Sequence, residues 1–160
     1  MISLDEIIKL NAGREIDILL AQQIMGWQLE TDEPKLRKLQ GYFSRDEARR
    51  WWRNPEGGWY CDPPSYSSNM IAAWQVVEMM NSNGQALFLS QSSEENNVAF
   101  DEPRATSPDY ISEKSVTVAI CKAALTAHAR RVQMDIGIDP ISRSDIPVLA
   151  GAGVLTVLGS

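Results

Sequence analysis

One histidine and two cysteines in 160 residues leave this chain little with which to build a metal centre. His128 is the only imidazole, and Cys61 and Cys121 lie on different predicted elements, so no zinc-type ligand spacing exists. A Gly-rich phosphate loop, a Ser-His-Asp ordering and a nucleophile elbow are all missing, and with them the common signatures of nucleotide hydrolysis and acyl transfer. Asp17, Glu30, Glu78 and Asp101 form no recognisable acid/base pair in sequence. His128 falls late in a predicted helix, where a cation is stabilised for structural reasons alone. The expectation is therefore a protein with no catalytic residues, no metal and no cofactor. Basic surplus is missing too. A formal charge of −6 and a pI near 4.8 argue against a grip on duplex nucleic acid, which needs a basic face. Long apolar runs are also wanting: the start lacks the basic flank and apolar core of a signal peptide. The stretch from Val148 to Leu158 is about half a membrane span and is broken by Gly151 and Gly153. These absences predict a cytoplasmic, reduced protein without a membrane partner.

What is present suits a folded domain. Apolar residues make up 44% and charged residues 22%, enough for one core, and a chain of this length buries roughly two thirds of its unfolded surface. Ile16, Leu19, Leu20 and Ile24 recur at helical spacing within a helix from about Arg14 to Met25, stopped by Gly26. Trp27 to Glu30 alternates as a strand, Thr31 to Gln40 reads as loop or a short surface helix, and Ser44 to Trp52 carries a capping box with Glu47. The turn Asn54-Pro55-Glu56-Gly57-Gly58 precedes a short strand at Trp59-Tyr60. A helix from Asn69 to Met80 puts Ala72, Ala73, Val76, Val77 and Met80 on one face, with Trp74 elsewhere. Ala86–Ser90 and Asn97–Asp101 form a hairpin, Arg104 to Tyr110 is irregular, and Ser115 to Arg131 is an alanine-faced helix that must lie close to a sheet or another helix. The order predicts an α+β domain, residues 1–133, whose small, mostly antiparallel sheet is sandwiched by helices (an α/β/α sandwich). Residues 134–160 read as an extension that pairs with a neighbouring subunit, giving a homo-oligomer.

The aromatic residues are the richest chemistry. Trp27, Trp51, Trp52, Trp59, Tyr60, Tyr66 and Trp74 crowd into less than a third of the chain, near Arg45, Arg49, Arg50 and Arg53. Adjacent Trp51 and Trp52 cannot share one side of a helix, so one of them is expected to be exposed or at an interface. The stretch Cys61-Asp62-Pro63-Pro64-Ser65-Tyr66-Ser67-Ser68 leads into a helix, and its serines offer oxygens to the first N–H groups. A helix start with aromatic planes and arginines beside it is what a base-plus-phosphate ligand needs. The candidate ligand site is Trp27, Trp52 or Tyr66 for stacking, Ser67 and Ser68 for phosphate, and Arg49 or Arg53 for added charge. Ordinary capping and core packing are the alternatives for the same residues.

Three segments resemble the phage ABA-sandwich family. They are Ala12-Gly13-Arg14-Glu15-Ile16-Asp17 through Met25-Gly26-Trp27, then Pro64-Ser65-Tyr66-Ser67-Ser68 through Ile71-Ala72-Ala73-Trp74-Gln75-Val76-Val77, and Val118 to Leu125. The resemblance spans roughly residues 11 to 129; the insertion between Trp27 and Pro63 is long, and the residues after about Gln133 are additional. It implies helices on both sides of a sheet and a protein working in the cytoplasm of an infected bacterium. By analogy with small phage proteins of this size, it implies capture of a cyclic nucleotide immune signal, a cyclic ADP-ribose isomer or a cyclic oligonucleotide. The alternative is a structural or host-interaction protein acting through an oligomer or partner interface.

Overall fold

The computed structural model describes residues 2–43 and 50–137. Helix α1, Leu4–Lys9, opens the chain. The Ser3 hydroxyl accepts from the Glu6 N–H at 3.3 Å and the Glu6 carboxylate accepts from the Ser3 N–H at 2.8 Å, a closed capping box. Helix α2, Arg14–Gln23, buries Ile16, Leu20 and Ala21, and Gly26 at φ +73° turns the chain into strand β1, Gln28–Leu29. The charged stretch after it is helical: α3 spans Glu33–Phe43. Pro34 sits in its first turn, where no intrahelical N–H bond is owed, and the Asp32 carboxylate caps the Lys35 N–H at 3.4 Å.

The helix expected over residues 44–52 is not there at its end. Residues 44–49, Arg49 included, lie outside the described residues, while Trp52–Arg53 is strand β2. Strand β2 pairs antiparallel with β1 on one side and with β3, Trp59–Tyr60, on the other. Both Trp51 and Trp52 are buried within the chain itself, so neither is the tryptophan expected to be exposed or at an interface. Successive side chains of an extended chain point to opposite sides, so adjacent tryptophans can each be covered, which a helix surface would forbid.

Helix α4, Met70–Ser82, buries Ala72, Ala73, Val76, Val77 and Met80, the face its periodicity picks out. Strand β4, Ala86–Gln91, pairs with β5, Asn96–Asp101, in the expected hairpin. Strand β6, Ile111–Glu113, adds an edge by pairing Val98 with Ile111; at three residues it is too short to carry a pattern in sequence. The single expected sheet is thus two antiparallel three-stranded sheets, β1-β2-β3 and β4-β5-β6.

Helix α5, Val116–Asp135, is the axis of the molecule. From Val118 to Ala127 every residue is buried, Lys122 and Thr126 among them. Its alanines let β5, α4 and α2 approach closely, and α1 packs on it as well. Lys122 Nζ donates to the Ile8 carbonyl at 2.7 Å and pairs with the Glu113 carboxylate, so a buried cation ties α1 and β6 to the central helix. The result is an α+β sandwich whose sheet β4-β5-β6 rests on α4 and α5.

Candidate functional site

Ser67 looks like a cap in sequence and is a structural node in the fold. It is 1% exposed. Its hydroxyl accepts from the Gly13 N–H at 2.9 Å, its own N–H donates to the Asp17 carboxylate at 2.7 Å, and its carbonyl accepts from the Thr117 hydroxyl at 2.6 Å. Gly13 heads α2 at φ +136°, a conformation that favours glycine, and aims its N–H at Ser67. Asp17 is itself buried, so its bond to Ser67 satisfies a charge that water cannot reach. The turns that deliver Ser67 close when the Ser65 carbonyl accepts from the Ser68 and Asn69 N–H groups. Asn69, rather than either serine, then caps α4: its Oδ1 accepts from the Ile71 and Ala72 N–H groups at 2.9 and 3.2 Å. The helix start expected to hold phosphate therefore has these two donors already engaged.

A cleft of about 680 Å³ opens beside this node, between the end of α2, the β2–β3 hairpin and the outer side of α4. Its aromatic wall is Trp27, 9% exposed, and Tyr60, 47% exposed, with ring centroids 5.2 Å apart and planes tilted by 60°. Tyr66 lines it too. Burial raises the Tyr66 hydroxyl to about 12, against a hydrogen bond with the Trp27 indole that favours the phenolate, and the Asp17 charge adds to the rise. Burial likewise pushes the Cys121 thiol well up, with Asp17 again reinforcing it, so Cys121 is a protonated, inert core residue. Met25, Met79, Pro55 and Pro64 extend the apolar surface. Asn54 and Gln75 bring amides, and Glu56, Asp62 and Glu78 bring carboxylates; among the described residues no lysine or arginine lines the cleft. Arg14 reaches its edge through an ion pair with Asp62.

The hairpin turn shapes one side of this cleft. Asn54 Oδ1 accepts from the Gly58 N–H at 2.6 Å and the Asn54 N–H donates to the Gly58 carbonyl at 3.0 Å, with Gly57 at φ +89° between them. A Cβ on Gly58 would meet the Tyr60 ring edge at 2.9 Å, so the missing side chain is what lets Tyr60 lie where it does.

The family model for the phage ABA sandwich domain matches residues 18–125, more than half of the chain. The chain belongs to the phage ABA sandwich domain family. A solved structure with a similar fold is the crystal structure of a phage protein from Bacillus cereus ATCC 14579. It is 21% identical, with a TM-score of 0.50 over 73% of this chain and 92% of the other, a likeness of fold alone. No curated protein matches the sequence.

Two of the three segments that resemble the phage ABA sandwich family meet at Ser67, Gly13 and Asp17 coming from the first and Ser67 from the second, and Thr117, just before the third, completes the node. Of the seven candidate ligand residues, Trp27 and Tyr66 line the cleft. Trp52 is buried in the core and Ser67 in the node, away from any ligand. Ser68 is exposed beside the α4 cap. The Arg53 guanidinium lies 6.0 Å from the Trp59 ring centre, outside the cleft lining. Tyr60, Asn54, Gln75 and Glu78 were not among the candidates. Crowding of aromatics signalled Tyr60, but nothing in the spacing pairs α4 with a turn twenty residues upstream. Among the described residues no cluster of three or more metal-ligating side chains occurs, and no helix is long and apolar enough to cross a membrane.

Proposed function

We propose that this phage ABA sandwich protein is a non-catalytic binding protein that sequesters a small nucleotide, with the base seated against Trp27 and Tyr60. The observation that carries the reading is the cleft itself: an aromatic wall facing amides and carboxylates in a volume within the usual range for small-ligand sites. Aromatic rings stack on a base, and amide and carboxylate oxygens accept from ring N–H and amino groups. The Glu56 and Glu78 carboxylates repel phosphate and, among the described residues, no lysine or arginine lines the cleft, so the phosphates extend from it toward solvent. A cyclic ADP-ribose isomer or cyclic oligonucleotide fits this arrangement, its second base or ribose remaining outside. Capture of such a signal would counter an anti-phage defence by mass action, needing no turnover.

The test is thermal unfolding against a panel of cyclic ADP-ribose isomers and cyclic di- and trinucleotides, followed by chromatography of the recovered ligand. A ligand at 100 times its dissociation constant stabilises the fold by about 2.7 kcal/mol. A raised melting temperature with intact ligand recovered is the expected result. Converted ligand would make the protein an enzyme, and no shift across the panel would overturn nucleotide binding. Tyr60→Ala, at a half-exposed position, should keep the fold and weaken binding by roughly 10- to 100-fold, the worth of one stacked base.

A further inference from the structure

The outward side of α4 leaves a cluster of large apolar side chains in water: Met70 at 48%, Ile71 at 78% and Trp74 at 50% exposure. Met70 with Trp74, and Ile71 with Trp74, stand four and three residues apart, so they adjoin on the helix surface and form one patch rather than scattered contacts. Nothing among the described residues covers it. Beyond the described residues the sequence runs from Ile146 to Ser160 without a charged residue, and carries Ile146, Val148, Leu149, Val154, Leu155, Val157 and Leu158.

The fold places the start of that sequence near the patch. Helices α4 and α5 run side by side in the same direction, because Thr117 bonds the Ser67 carbonyl at one end and Arg131 Nη1 bonds the Asn83 carbonyl at 3.2 Å at the other. The described chain stops at Gly137, just past α5 and so beside the C-terminal end of α4. Gly137 lies six residues past Arg131 and Trp74 nine residues back from Asn83, so the two stand about 22 Å apart along the helices at 1.5 Å per residue, with about 8–10 Å between the helix axes. Residues 138–145 can span up to about 26 Å. An extended connection thus brings the start of the apolar run to the Trp74 end of the patch, and the run itself is long enough to continue along it.

We propose that residues 146–158 of the same chain cover the Met70, Ile71 and Trp74 face of α4. Tethering decides between this occupant and a second copy offering the same segment. A segment on a short connection has an effective concentration on the order of millimolar, well above micromolar free protein, so the chain's own segment takes the face first. The inference is independent of what the Trp27–Tyr60 cleft binds.

The experiment replaces Ile71 with the photo-crosslinking residue p-benzoylphenylalanine in the full chain; at 78% exposure this position tolerates the larger side chain. Equal amounts of ¹⁴N- and ¹⁵N-labelled protein are mixed, irradiated and digested for mass spectrometry. The expected result is crosslinks from position 71 to residues 146–158 in which both peptides carry the same isotope, largely lost in a Leu149→Asp/Leu155→Asp variant. Mixed-isotope crosslinks would show that a second copy covers the face, and crosslinks elsewhere or none would show that this segment does not; either overturns the proposal. As a second readout, the double aspartate variant of the otherwise unmodified full chain should bind more of a hydrophobic dye than the parent, and unchanged dye binding would also overturn it.

Discussion

Ser67 ties two helices, α2 and α5, to the turn before α4 through three of its own atoms, and no pattern of hydropathy marks it for that role. Its neighbour Ser68, the same residue type, is exposed. Ser67→Ala should remove the acceptor of the Gly13 N–H from a part-buried bond and cost roughly 0.5–1.5 kcal/mol, measured as a lowered urea midpoint with little change in slope. His128 provides a pH-dependent readout of the α5 end. Burial, and after it the Arg131 charge, lowers its pKa below the ordinary value. Between that lowered value and about 6.5 the unfolded chain holds more protons than the folded one, so stability falls as pH drops through this window. His128→Gln should flatten that part of the profile, seen by comparing urea midpoints of the two proteins between neutral and mildly acidic pH. Asp17 was legible only as one carboxylate among many. Burial between α2 and the turn before α4 is what makes it matter, and only the fold brings those together.

At the scale of elements, long periodic helices were readable and short or doubly supported pieces were not. The buried face of α4 and the alanine face of α5 follow from spacing at 3.6 residues per turn. Helix α5 then exceeds what its pattern promises: it is buried on all sides over ten residues, including Lys122, because neighbours surround it. Ala124→Leu would crowd three extra carbons among α5's neighbours and should destabilise by about 1–3 kcal/mol in a denaturation curve. In the β1-β2-β3 sheet the strands at β1 and β3 are legible in the sequence, and β2 is not, because capping signals around Ser44 favour a helix locally whereas Trp52–Arg53 is extended by pairing on both sides. Its hairpin turn bears on the cleft. Gly58→Ala should push the Tyr60 ring aside and weaken ligand binding more than it lowers the melting temperature, because Tyr60 is half-exposed and can move at small cost to packing. Titration of ligand alongside thermal unfolding of the same variant separates the two effects.

For the whole molecule, surface charge and cleft chemistry point the same way. A net charge of −6 and carboxylates in the cleft lining repel polyanions, which agrees with the proposal of a ligand held through its base rather than its phosphates. The sequence by itself determined the class: one α+β domain, its main helices and central hairpin, and its family, because these rest on local periodicity and on motifs contiguous in the chain. The tertiary structure alone decided that Ser67 and Trp52 are buried while Tyr60 faces a cleft, and that the node and the cleft lie side by side. Each of those depends on contacts between residues about fifteen to fifty apart in the chain, which closure of the core fixes and no local pattern encodes.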